Sequence, residues 1–145
     1  MAGEQIVIID DDPDICEALS MILGPAGYRL TCCATGPQGL AAIAANPPDL
    51  ILLDIMLSSP SEGLQVAREL RQREASRHIP IIMISSYRAT LGMDYAKELG
   101  VDYTPPERFL DKPLMADTLL RAVGETLQGK KEEAADKSEA ADTTE

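Results

Sequence analysis

Basic residues are scarce in this chain. It carries 13 Lys and Arg against 24 Asp and Glu, a net charge of −11 at pH 7. Tight binding to nucleic acid normally needs a basic stripe, so direct DNA binding by this chain is not expected. The densest basic stretch is Arg68, Arg71, Arg73 and Arg77, interleaved with Glu69 and Glu74. It reads as a solvated helix face with intrahelical pairs. Long apolar runs are also missing: nothing approaches the ~18 consecutive apolar residues of a membrane span. The opening MAGEQ is short and acidic, and an apolar run follows at once. A secretory leader would begin with basic residues, so none is expected and a cytoplasmic location is.

Metal-binding and cross-linking side chains are few. The cysteines are Cys16, Cys32 and Cys33. An odd count with two adjacent does not make a disulfide framework. The expectation is three small apolar residues in a reducing compartment. A CxxC pattern is absent, and the single histidine, His78, cannot supply the ligand set of a structural zinc site. His78 precedes Ile79-Pro80 and reads as an ordinary surface residue. Aromatics amount to four Tyr and one Phe, with no Trp.

What the chain does have is apolar matter, 45% of 145 residues, enough for one domain with a core. Two of its apolar runs end in acid. Ile6-Val7-Ile8-Ile9 meets Asp10-Asp11-Asp12, and Leu50-Ile51-Leu52-Leu53 meets Asp54. A short apolar run bounded by polar residues reads as a buried strand of a parallel sheet. In open α/β sheets the ligand crevice lies past the carboxyl ends of the strands. Carboxylates from two strands would meet there, and their repulsion calls for a cation or a proton.

Strands and helices alternate along the whole chain. Strands are expected at Ile6–Ile9, Tyr28–Ala34, Leu50–Leu53, Ile79–Ile84 and Phe109–Leu110. Asp12-Pro13 reads as an N-cap and first helical position, opening a helix that Gly24-Pro25 closes. Further helices are expected over Gly36–Ala45, Glu62–Ala75, Ala89–Leu99 (capped by Gly100) and from Pro113 or Leu114 to Leu127, stopped by Gly129. The pattern is (βα)5, an α/β doubly wound parallel sheet. The flavodoxin-like strand order 2-1-3-4-5 is favoured at this length. Asp10-Asp11 and Asp54 would then lie side by side at the switch point. Residues 129–145 are polar, with alanine almost the only apolar type, and read as a disordered acidic tail.

Asp10-Asp11 after strand one, Asp54 after strand three, Ser85 after strand four and Lys112-Pro113 after strand five stand in one register. Together they resemble the receiver domain of two-component response regulators, the CheY-like fold, over residues 4–128. The resemblance implies a stand-alone switch that takes a phosphoryl group on Asp54 from a sensor histidine kinase or phosphotransfer protein. It implies Mg²⁺ held by Asp10, Asp11, Asp54 and the backbone carbonyl of Met56, an oxygen-rich set of the kind that cation prefers. Lys112 and Ser85 would hold phosphate oxygens, with Ser86 a rival one residue off register. Asp12 remains a helix cap. The Lys112-Pro113 bond is expected to be cis by the same resemblance. Ser85 and Phe109 would form the switch that reshapes the face made by the fourth helix, fifth strand and fifth helix for a downstream target protein. Homodimerisation stays open. The only chemistry expected is the chain's own phosphorylation and dephosphorylation, not turnover as an enzyme.

Two stretches depart from the family pattern. The segment 55–63, IMLSSPSEG, replaces a shorter proline-and-glycine loop with Ser58-Ser59-Pro60-Ser61. The segment 103–108, YTPPER, is longer than usual before Phe109. Neither removes a mechanistic residue. Two rival functions stay in view. An aspartyl phosphatase would place a second Asp where Met56 stands. A degenerate receiver that only binds proteins would lack one of the site residues, and all are present.

Overall fold

The computed structural model describes residues 3–54, 60–85, 108–111 and 114–142, with side chains over 3–54, 62–84, 110 and 114–129. Its elements are β1 (Gln5–Ile9), α1 (Pro13–Leu23), β2 (Arg29–Cys33), α2 (Gly36–Ala45), β3 (Leu50–Asp54), α3 (Pro60–Gln72), β4 (Ile81–Ser85), β5 (Arg108–Asp111) and α4 (Ala116–Asp142). The expected helix over Ala89–Leu99, its cap at Gly100, and Met56, Ser58, Ser59, Ser86, Lys112 and Pro113 lie outside the described residues. So do Tyr103 to Glu107. Ser85 and Phe109 are described as strand backbone only.

The five strands form one parallel sheet in the order β2-β1-β3-β4-β5, as expected. Alternation along each strand feeds two separate cores. Val7, Ile9, Ile51, Leu53, Ile81 and Met83 point to one face, where Ile43 of α2 and Leu64, Val66, Ala67 and Leu70 of α3 cover them. Ile6, Ile8, Leu50, Leu52, Ile82 and Ile84 point to the other, under Leu19 and Leu23 of α1 and Leu119, Ala122 and Val123 of α4. Strands buried on both faces need apolar side chains at every position, which is why β1 and β3 read as unbroken runs.

The helix starts follow local chemistry. Asp12 sits in extended backbone, its carboxylate accepts from the Asp14 N–H at 2.9 Å, and Pro13 opens the helix. Thr35 caps α2 in the same way through the Gln38 N–H. After α1 the chain reverses through Gly27, whose φ of 101° lies in the region that glycine enters without strain. After α3 the Arg71 guanidinium donates to the carbonyls of Arg77 and Ile79 at 3.1 and 2.7 Å, tying the connection to β4. Arg73 pairs with Glu69 one turn back, and His78 is exposed. Of the four arginines expected on one helix face, Arg73 and Arg77 lie past the end of α3 at Gln72, and Arg71 is committed to the connection.

Two further expectations need correction. The last helix does not stop at Gly129, and the segment read as a disordered tail continues α4 to Asp142. Ala, Glu and Lys dominate that segment and are among the strongest helix formers. A helix already nucleated by packed turns extends easily, and one glycine costs only about 1 kcal/mol. The cysteines are the second correction. Cys16 of α1 and Cys32 of β2 are joined in a disulfide, with Cα atoms 6.2 Å apart, while Cys33 is a buried free thiol. Adjacent strand residues point to opposite faces. Cys33 therefore enters the core under α2, and Cys32 turns to the α1 side.

Candidate functional site

The carboxyl ends of β1 and β3 are adjacent because these strands pair directly, Ile9 opposite Leu53. One residue further on, Asp10 and Asp54 emerge together. Their side chains are nearly closed to solvent, at 4% and 2% exposure, while Asp11 is exposed. Carboxylate oxygens of Asp10, Asp11 and Asp54 lie within 4.8 Å of one another. Three carboxylates this close, two of them buried, demand nearby positive charge.

The backbone fixes the cluster. The Asp10 N–H donates to the Cys33 carbonyl at 3.0 Å, extending the β1–β2 pairing by one residue. The Asp12 N–H donates to Asp10 Oδ1 at 2.9 Å, so the loop turns tightly around the first acid. Asp12 then caps α1, whose N-terminal end faces the acids with its partial positive charge. Asp12 thus takes the capping role assigned from sequence, and it is Asp10, Asp11 and Asp54 that cluster.

The donor set fits a small hard cation. Mg²⁺ binds oxygens at 2.0–2.1 Å, which places neighbouring ligands about 3 Å apart and opposite ones about 4 Å apart. An oxygen from each of three acids within 4.8 Å can approach such a shell directly or through water. Met56, the fourth protein ligand expected, is outside the described residues. The Ser85 backbone lies at the end of β4, where its neighbour Ile84 pairs with Asp54. Phe109 pairs with Met83 on β5. The sheet thus brings the Ser85 and Phe109 backbones to the same end as the acids or next to it.

A cavity of about 560 Å³ opens beside Asp10 and Asp11, and Cys16, Ser20 and Cys32 line its other side. Sequence reasoning missed this wall. Its signal was present but weak: in a strand, Cys32 and Cys33 must face opposite ways, so only one of them can meet α1. Burial pushes the Cys33 thiol above its ordinary pKa.

Comparisons with known proteins agree with this geometry. Residues 6–124 match the response regulator receiver domain family. The chain is 35% identical over 126 residues to the phosphate regulon transcriptional regulatory protein PhoB of Pseudomonas aeruginosa, covering 86% of this chain and 55% of that one. It is 34% identical over 113 residues to the DNA-binding response regulator MtrA of Mycolicibacterium smegmatis, covering 78% and 48%. The chain spans about half the length of the curated relatives it matches. Among solved structures, a CheY-like response regulator receiver domain protein from Methanospirillum hungatei superposes with a TM-score of 0.75 at 26% identity, over 91% of this chain and 99% of that one. NtrX from Brucella abortus gives 0.77 at 28% identity, over 93% and 29%.

Proposed function

Because the chain belongs to the response regulator receiver domain family, we propose that Asp54 is the residue on which it takes up a phosphoryl group. The observation that carries this reading is the acidic cluster: a buried carboxylate at the end of the central strand, within 4.8 Å of two others. A carboxylate oxygen of Asp54 attacks the phosphorus of a phosphohistidine. The P–O bond forms as the P–N bond breaks, and the imidazole leaves with a proton. Phosphoryl transfer depends on positioning and charge neutralisation more than on covalent machinery.

Asp10, Asp11 and Asp54, with the Met56 carbonyl, are the residues that would hold Mg²⁺. When bound, that cation neutralises the crowded acids and the incoming phosphate oxygens. Asp10 Oδ1 accepts from the Asp12 N–H, so the side chain needs little reordering to bind. Lys112 is the point cation for a phosphate oxygen, and the Ser85 hydroxyl donates to another. Ser85 and Phe109 would carry the change to the face formed around β5. The signal arrives from a sensor histidine kinase or phosphotransfer protein and leaves through a downstream target protein. The chain turns over no separate substrate; it catalyses only its own phosphorylation and dephosphorylation.

Two relatives are named as DNA-binding or transcriptional regulators. The net charge of −11 argues against DNA contact by the residues of this chain itself. Among the described residues no helix is long and apolar enough to cross a membrane; the cytoplasmic setting rests on the kinase partner.

The test is phosphate uptake. With Mg²⁺ and acetyl phosphate, the native chain should shift on a phosphate-affinity gel, and Asp54→Asn should not. Uptake that survives in Asp54→Asn would overturn the assignment.

A further inference from the structure

Cys16 and Cys32 meet where two requirements conflict. They are bonded to each other, yet the setting proposed above is reducing, and lasting disulfides are rare in such compartments. Neither cysteine is enclosed. Cys32 is exposed, Cys16 is half-buried, and the two line an open cavity of about 560 Å³. An accessible disulfide in a reducing compartment is typically an exchanging one. Cys33 takes no part, since it is buried under α2 at 7% exposure.

We propose that Cys16 and Cys32 are a reversible modification site that closes by exchange with a low-molecular-weight disulfide and thereby adjusts the neighbouring acidic site. The chemistry balances without metal or oxygen. One protein thiolate attacks the external disulfide, forming a mixed disulfide and releasing one small thiol. The second protein thiolate attacks the mixed disulfide, forming the Cys16–Cys32 bond and releasing the other. The two protein thiols are oxidised, the external disulfide is reduced to two thiols, and the two protons go to those thiols or to solvent. The reverse reaction reopens the pair.

The link to the acids is structural. Cys16 sits four residues into a helix whose cap, Asp12, donates its N–H to Asp10. Cys32 precedes Cys33, whose carbonyl accepts from the Asp10 N–H. The bond therefore clamps α1 to β2 on both sides of Asp10. Asp10, Asp11, Cys16 and Cys32 also share the walls of one cavity. The closed form holds the Asp10 loop in one arrangement, and the open form removes that clamp from the start of α1, whose Leu19 and Leu23 stay in the core. This second half rests on the phosphorylation reading; the thiol chemistry does not.

The experiment equilibrates the whole chain in glutathione buffers of graded poise, traps free thiols by alkylation in denaturant, and weighs the intact protein. Alkylatable cysteines should fall from three to one as the buffer becomes oxidising, with the survivor in the Cys33 peptide, and return on reduction. Cys33→Ala should keep the transition. Cys16→Ser and Cys32→Ser should each yield a glutathione adduct in its place. Three free thiols at every poise, a bond that uses Cys33, or a bond that glutathione cannot open would overturn the site. Uptake from acetyl phosphate is then timed on the open and closed forms. The closed form should be faster by several-fold, and the double variant Cys16→Ser with Cys32→Ser should not respond to poise. Equal rates in the two forms would overturn the coupling. Absence of Asp54-dependent uptake in either form would instead count against the phosphorylation reading and leave the thiol result standing.

Discussion

The two faces of the sheet are covered differently. On the α2–α3 face the helices press close. A Cβ added at Gly39 would run into the Ile9 side chain, and one at Gly36 would lie 2.7 Å from Val66 Cγ2. On the α1–α4 face, a Cβ at Gly124 would meet nothing within 4 Å. The first face has the glycines of α2 at points of close approach, with Ile43, Leu64 and Leu70 filling the rest. The second is filled by large aliphatic side chains such as Leu19, Leu23 and Leu119, and its helix α1 begins at the acids. Both cores are closed to solvent; the difference is that the glycines of α2 face neighbouring side chains, whereas Gly124 of α4 faces open space. That difference separates glycines that the packing requires from one that it does not.

Substitutions of one kind can break the comparison. Gly39→Ala should destabilise by about 1–2 kcal/mol, because Ile9 is fully buried and has no room to yield. This loss should exceed the helix-propensity gain from alanine. A lower urea midpoint at constant slope is the expected reading. The same change at Gly124 should stabilise by about 0.5–1 kcal/mol, since alanine is the better helix former and the space is open. If both variants shifted the midpoint in the same direction, the two faces would not differ as described. The smallest effect belongs to the surface. Glu69→Ala removes a partner of Arg73 at an exposed i, i+4 pair and should cost no more than about 0.5 kcal/mol.

Legibility in the sequence divided between local and non-local causes. Strands β1 and β3 were readable because burial on both faces leaves no polar position inside them, and their ends were marked by acid. Given parallel topology, two strand ends in adjacent positions suffice to bring Asp10, Asp11 and Asp54 together. The Asp12-Pro13 start of α1 was readable because capping is a local matter. Cys16 and Cys32 were not readable as a pair. Their meeting depends on how α1 is rotated over the edge strand, which no local pattern encodes. The far part of α4 misled for a different reason. Its polar composition matches a chain with no core to join, yet the same alanines, glutamates and lysines favour helix when packed turns precede them.

The β1–β3 pairing also governs when the acidic site comes into being. Gln5 and Asp49 hydrogen-bond at the start of this pair across a separation of 44 residues. Asp10 and Asp54 meet only once that long loop has closed, and such non-local parallel pairing is slow to form. The mutual repulsion of the acids opposes the step. A divalent ion that binds the assembled cluster and not the open chain stabilises the native state by mass action. Assembly of the carboxylate site thereby waits on closure of that loop, and the concentration of that ion can favour the assembled state.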